Sequence, residues 1–141
     1  MAHKLYQVGV KALVTDSEGK ILLIKAAKGF HDAHWDLPGG RIEDNQTPEE
    51  ALKREIEEEI GVKSVENITF HSGCISNFEM HFDELGTVGL VLMAYEVTIP
   101  EGAVVVLSDE HTDYEWVNRS ELTERLKEKY PPEFTVGLLV R

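Results

Sequence analysis

The stretch "REIEEEIG", residues 54–61, places four glutamates within five positions and sets Ile56 and Ile60 among them. On a helix, like charges three or four positions apart repel by roughly 0.2–0.5 kcal/mol per pair. The flanking residues nevertheless call for a helix. Thr47 is a good N-cap, Pro48 suits the first helical position, and Glu50, three residues after Thr47, completes a capping box. Gly61 stands where a left-handed C-terminal residue is expected. These signals predict a helix from about Pro48 to Ile60. At about 100° per residue, Leu52, Ile56 and Ile60 form one stripe suited to packing on a sheet. Glu55, Glu58 and Glu59 converge on the adjacent face, while Glu57 points away, where Lys53 can pair with it.

The ordinary reading of a glutamate-rich helix is a solvated charged face. Two features argue for more here. The three carboxylates abut the apolar stripe, and the preceding "WDLPGGRIEDNQ", residues 35–46, contains a Pro-Gly-Gly run able to fold backbone carbonyls toward the same place. Hard divalent cations such as Mg²⁺ take carboxylate, carbonyl and water oxygens and bind alongside substrate phosphates. A cation would offset the repulsion.

Working outward, residues 6–14 alternate as a strand, with Tyr6, Val8, Val10, Ala12 and Val14 on one face. "DSEGK", residues 16–20, is turn chemistry, and residues 21–27, "ILLIKAA", predict a buried strand antiparallel to the first. Beyond the helix, extended segments are predicted over residues 65–71, 75–81 and 87–99, with shorter ones at 103–107 and 114–117. Asn118 or Ser120 can cap a last helix running to about Lys129, where Pro131 and Pro132 stop it. The order predicts a mixed α/β or α+β fold with helices packed on a sheet.

The 141 residues suit one domain spanning 1–141, with ordinary apolar (42%) and charged (28%) fractions for a soluble protein. The net charge of −12 argues against broad contact with a nucleic-acid polymer. No apolar run approaches the roughly 20 residues of a membrane span, and the opening "MAHKLYQVGV" lacks a signal peptide's apolar segment, so a cytoplasmic location with no membrane partner is expected. Cys74 stands alone, which removes internal disulfides and cysteine-based zinc sites.

"GRIEDNQTPEEALKREIEEEIGV", residues 40–62, resembles the signature of the Nudix hydrolases, matching it at Gly40, Arg54, Glu55, Ile56, Glu58, Glu59, Gly61 and Val62. The resemblance covers essentially the whole chain and implies an α/β/α sandwich around a mixed β-sheet. It also implies that Glu55, Glu58 and Glu59, with the Gly40 carbonyl, bind Mg²⁺ or Mn²⁺. The activity it implies is cleavage of a diphosphate linkage in a nucleoside diphosphate derivative, a small nucleotide-type substrate, and many such enzymes are homodimers. The attacking water's proton needs a carboxylate. Glu58 is the first candidate within the signature, and Glu110, in "LSDEHTDYEW" (residues 107–116), is the loop candidate, alongside its plainer reading as an exposed turn residue. That loop is similar to the corresponding loop of diadenosine polyphosphate hydrolases. Arg54 is the signature arginine.

One position departs from the signature: its first glutamate is Gln46 here. In the family that glutamate braces the loop through the arginine. Gln46 keeps a hydrogen-bonding capacity toward Arg54 and loses the charge assistance. The rival to an enzyme is a non-catalytic Nudix-like domain that binds or senses a nucleotide. A zinc site from His31, His34, His71 and His81 is disfavoured by their loose spacing. Phe78, His81 and Phe82 suit either stacking of a base or sugar or packing in the core or a dimer contact, Trp35 is a pocket or structural residue, and Tyr114 and Trp116 are expected in the core.

Overall fold

The computed structural model describes residues 3–27 and 33–141. Strand β1 (Leu5–Thr15) is the spine of the sheet. It pairs in parallel with β7 (Gly86–Thr98), from Leu5 opposite Val88 to Thr15 opposite Thr98. It also pairs antiparallel with β2 (Ile21–Ala26) at Thr15 and with the short β4 (Gly39–Arg41) at residues 9–11. Outside these lie β3 (Trp35–Asp36) and β8 (His111–Val117) on β2, and β5 (Glu66–Ile75) and β6 (Met80–Phe82) on β7. One parallel pair among antiparallel ones makes the sheet mixed.

Because side chains alternate across a strand, the sheet buries two separate apolar sets. On one face Val10, Ala12, Val14, Leu22 and Ile24 pack against Ala51, Leu52, Ile56 and Ile60 of α1 (Pro48–Ile60). On the other, Leu13, Ile21, Leu23 and Leu92 pack against Leu122, Leu126, Phe134 and Leu138. The layers are therefore helix, sheet, helix. Helix α1 has the predicted bounds, with Thr47 accepting from Glu50 N–H, the reciprocal bond present, and Gly61 left-handed at φ 71°. Leu52, Ile56 and Ile60 are fully buried. Burying each is worth roughly 1.5–3 kcal/mol, which outweighs the glutamate repulsions.

Three segments differ from the sequence reading. Residues 75–81 are not one strand: Ile75 ends β5, and β6 begins only at Met80 after a turn in which Ser76 Oγ accepts from Phe78 N–H. Residues 103–107 are extended but join no strand. Val106 N–H bonds the Ile60 carbonyl at 2.9 Å and Ser108 N–H bonds the Glu59 carbonyl at 3.2 Å. The segment thus satisfies carbonyls that the end of α1 leaves without helical partners. The last helix is broken. A 3₁₀ turn (Arg119–Glu121) leads into α2 (Leu122–Arg125), and α3 (Pro132–Leu138) starts at the prolines that were read as a stop. Proline lacks only a donor that the first helical turn would leave unpaired anyway, so Pro132 opens a helix as readily as it closes one. Tyr114, expected in the core, is 45% exposed on β8, while Trp116 packs on the α1-side core. Among the described residues no helix is long and apolar enough to cross a membrane.

Candidate active site

The site forms where β4 delivers its chain to α1. Gly39 has φ 145°, and a Cβ there would lie 2.0 Å from the Val10 carbonyl oxygen, so only glycine fits. This tight passage aims the Gly39 N–H at the helix, where it donates to Glu59 Oε1 at 2.7 Å. At Gly40 a Cβ would lie 2.5 Å from Glu55 Oε1, so that carboxylate rests directly on the glycine backbone. The Pro-Gly-Gly run therefore brings the β4 backbone against Glu55 and Glu59.

The three glutamates differ in setting. The Glu55 and Glu59 side chains are 16% and 12% exposed, while Glu58 is 59% exposed. Burial pushes Glu59 up to about 8; Lys11 and the Gly39 N–H oppose the rise, and Glu55 and Asp36 add to it. Burial also raises Glu55, with Glu58 adding repulsion and Arg54 opposing. Arg54 Nη1 lies 3.0 Å from Glu55 and 3.4 Å from Glu58. Burial disfavours its charge, but Glu55, Glu43 and Glu58 outweigh this and hold the guanidinium protonated. Among the described residues no three carboxylate, imidazole or thiol groups form a finished metal cluster, and Arg54 bridges Glu55 and Glu58. The donors are nonetheless hard oxygens, two of them in a partly desolvated place that raises their proton affinity. That chemistry fits Mg²⁺ or Mn²⁺.

Sequence reasoning missed the groups behind Glu59. Lys11 is a buried lysine in the middle of β1, 3.4 Å from Asp36 Oδ2 and donating to the Leu37 carbonyl at 3.3 Å. Tyr130 O–H donates to Asp36 Oδ1, and Leu37 N–H donates there too at 2.7 Å. Burial pushes Asp36 up, but Lys11 and the Tyr130 hydroxyl prevail and leave its carboxyl below the ordinary range. Burial, joined by Asp36, raises Tyr130 well above the usual phenol value. His111 Nε2 lies 3.6 Å from Glu59 Oε2, too long for a hydrogen bond, while its Nδ1 meets Ser108 Oγ at 3.3 Å. Burial pushes His111 below the ordinary imidazole value, with Asp36 and Glu110 opposing. A lone lysine inside the apolar "VGVKALV" was the available signal for this network.

Other candidates separate clearly. Glu110 is exposed in the turn before β8; its carbonyl accepts from Ala27 N–H at 2.7 Å, and the next residue, His111, faces Glu59. Phe78 lines a pocket of about 280 Å³ with Gly9, Lys11, Gly40, Arg41 and Tyr130, and the Arg41 guanidinium lies over its ring. His81 and Phe82 lie on exposed β6. Trp35 lies under Arg125 and Lys25 and packs on the second core. Of the histidines weighed for zinc, His31 lies outside the described residues, and His71 bonds Ser72 and the Val140 carbonyl.

Comparison with known proteins decides the family. The NUDIX domain matches residues 5–136. The chain belongs to the Nudix hydrolase family. It is 32% identical over 127 residues to a MutT-like protein of Streptomyces ambofaciens, covering 89% of this chain and 73% of that protein. It is 31% identical over 117 residues to the nucleoside triphosphatase NudI of an Enterobacter species, covering 77% and 80% of the two. The crystal structure of a MutT protein from Methanosarcina mazei superimposes with a TM-score of 0.68 at 26% identity, over 98% of this chain and 94% of that one. The chain is accordingly a Nudix pyrophosphohydrolase, of a class that acts on small nucleotide substrates and generally needs a divalent cation.

Within the Nudix signature, Gln46 does not reach Arg54 as the sequence suggested. Its Oε1 accepts from Glu43 N–H at 3.0 Å and its own N–H bonds the Glu43 carbonyl at 3.1 Å. Both bonds are spent inside the loop.

Proposed function

We propose that this protein hydrolyses the diphosphate linkage of a nucleoside or deoxynucleoside triphosphate at the carboxylate face of α1. The observation that carries the reading is the seating of Glu55 and Glu59 against the β4 backbone, with the Gly39 N–H fixing one Glu59 oxygen and the other left for a cation. The NudI relative, aligned over most of both chains, supports a triphosphate over a dinucleoside polyphosphate.

Glu55, Glu58, Glu59 and the Gly40 carbonyl would hold Mg²⁺ or Mn²⁺. When bound, such an ion neutralises phosphate oxygens and acidifies a water. Glu58, exposed beside the buried pair, accepts the proton of the attacking water. Arg54 keeps Glu55 and Glu58 oriented through its guanidinium. Glu110, exposed in the turn next to His111, is the alternative proton acceptor. The pocket beside Gly40 takes the nucleoside, with Phe78 as an aromatic wall and Lys11 and Arg41 supplying positive charge in an otherwise acidic chain. A small nucleotide rather than a nucleic-acid polymer suits the net charge of −12. Function in the cytoplasm and as a homodimer belong to the same reading.

A substrate panel with Mg²⁺ and with Mn²⁺ tests it. Nucleoside triphosphates, oxidised ones included, are expected to give kcat/KM at least about tenfold above dinucleoside polyphosphates, ADP-ribose, nucleotide sugars and a 5′-triphosphorylated oligonucleotide. Preference for a dinucleoside polyphosphate would move the substrate to that class. Nucleotide binding with no turnover on any of them would return the chain to a sensor domain.

A further inference from the structure

In the Nudix signature a glutamate faces the arginine from the position held here by Gln46. The loop shows where that charge has gone. With Asn45 in the left-handed region at φ 64° and Gln46 bonded twice to the Glu43 backbone, residues 43–46 close into a tight turn. The turn presents the Glu43 side chain to the helix, and its Oε1 lies 3.6 Å from Arg54 Nη2. We propose that Glu43 is a positioning residue that supplies the carboxylate facing Arg54 in place of Gln46, and so shares the guanidinium charge that Glu55 and Glu58 would otherwise take alone. The inference rests on the metal-dependent reading above.

The competition is physical. Arg54 Nη1 already contacts Glu55 at 3.0 Å and Glu58 at 3.4 Å. Its Nη2 otherwise has the Arg41 carbonyl at the 3.5 Å limit of a hydrogen bond. Remove the Glu43 charge and the same guanidinium settles more fully on Glu55 and Glu58, where a divalent cation must bind. Glu43 thus favours the cation twice, by its own charge and by sharing the competing one. Because its side chain is 67% exposed, screening limits the effect.

The test is Mn²⁺ titration by electron paramagnetic resonance on nucleotide-free protein, which reads cation affinity independently of turnover. Glu43→Gln, a surface change that leaves the core untouched, is expected to weaken Mn²⁺ binding by about three- to fivefold. In the Glu43→Gln background, Gln46→Glu should restore part of the affinity, because it returns a negative charge to the same turn while a carboxylate at 46 can still accept the Glu43 N–H. Glu57→Gln, on the solvated face, should match the unmodified protein. Wild-type affinity in Glu43→Gln, a loss that Gln46→Glu does not rescue, or an equal loss in Glu57→Gln would each overturn the inference while leaving the enzyme intact. Failure of the unmodified protein to bind Mn²⁺ at all would instead bring down the metal-dependent reading, and this inference with it.

Discussion

Glu58→Gln is expected to lower kcat by about a hundredfold or more, the usual scale for losing a positioned proton acceptor. The substitution keeps side-chain shape and hydrogen-bonding capacity and removes one negative charge. Folding should be unaffected. The Glu58 carboxylate is 59% exposed, and its pairing with Arg54 at 3.4 Å is of the surface kind that contributes little. Its repulsion of Glu55, which adds to the raised pKa there, is relieved at the same time. Glu57→Gln, one residue along and pointing to solvent, should retain full kcat. Equal activities in the two variants would reduce the cluster to a charged surface.

Glu59→Gln should make the metal-free protein more stable at alkaline pH and change it little in acid. The sign follows from where the proton sits. Burial raises folded Glu59 to about 8 from the ordinary 4.5. The folded chain therefore keeps that proton over a range in which the unfolded chain has lost it. The resulting support for the fold is complete below about pH 4.5 and is lost as pH rises through about 8. At pH 9 the unmodified protein carries a buried carboxylate charge that glutamine lacks, a difference of roughly 3–5 kcal/mol. Urea unfolding of both proteins at pH 5 and pH 9 reads it directly. The gap should also narrow when Mg²⁺ is added, since a ligand of the folded state stabilises only the protein that binds it. A gap that does not change with pH would show that Glu59 is solvated.

Helix α1 was legible to the residue because its start and stop rest on local chemistry: Thr47 with Glu50 at one end, Gly61 at the other. Its buried stripe followed from spacing alone. The carboxylate face followed from the same spacing, as three positions on one face of a helix. What lay across the chain was not. Residue order places Lys11 in a strand but not beside the Asp36–Tyr130 pair, and Tyr130 lies 94 residues from Asp36 in sequence. His111 comes within 3.6 Å of Glu59 through a segment, residues 103–108, that bonds the end of α1 at Ile60 and Glu59. That segment itself was misread as a strand, since an extended segment bonded to helix-end carbonyls and one bonded to a sheet share the same alternation. Gln46 was legible as a departure, but the compensating geometry of Glu43 depended on a loop conformation that the residue order does not state.

The central claim is that the α1 carboxylates work through a divalent cation to cleave between phosphates. It is tested most directly by following a nucleoside triphosphate in ¹⁸O-labelled water, with Mg²⁺ and then with excess chelator, and identifying the products. The expected result is a nucleoside monophosphate and pyrophosphate, with a single labelled oxygen between them, at a rate that rises toward alkaline pH and vanishes with the chelator. Undiminished turnover in excess chelator, or no labelled oxygen in any phosphate-bearing product, would contradict it.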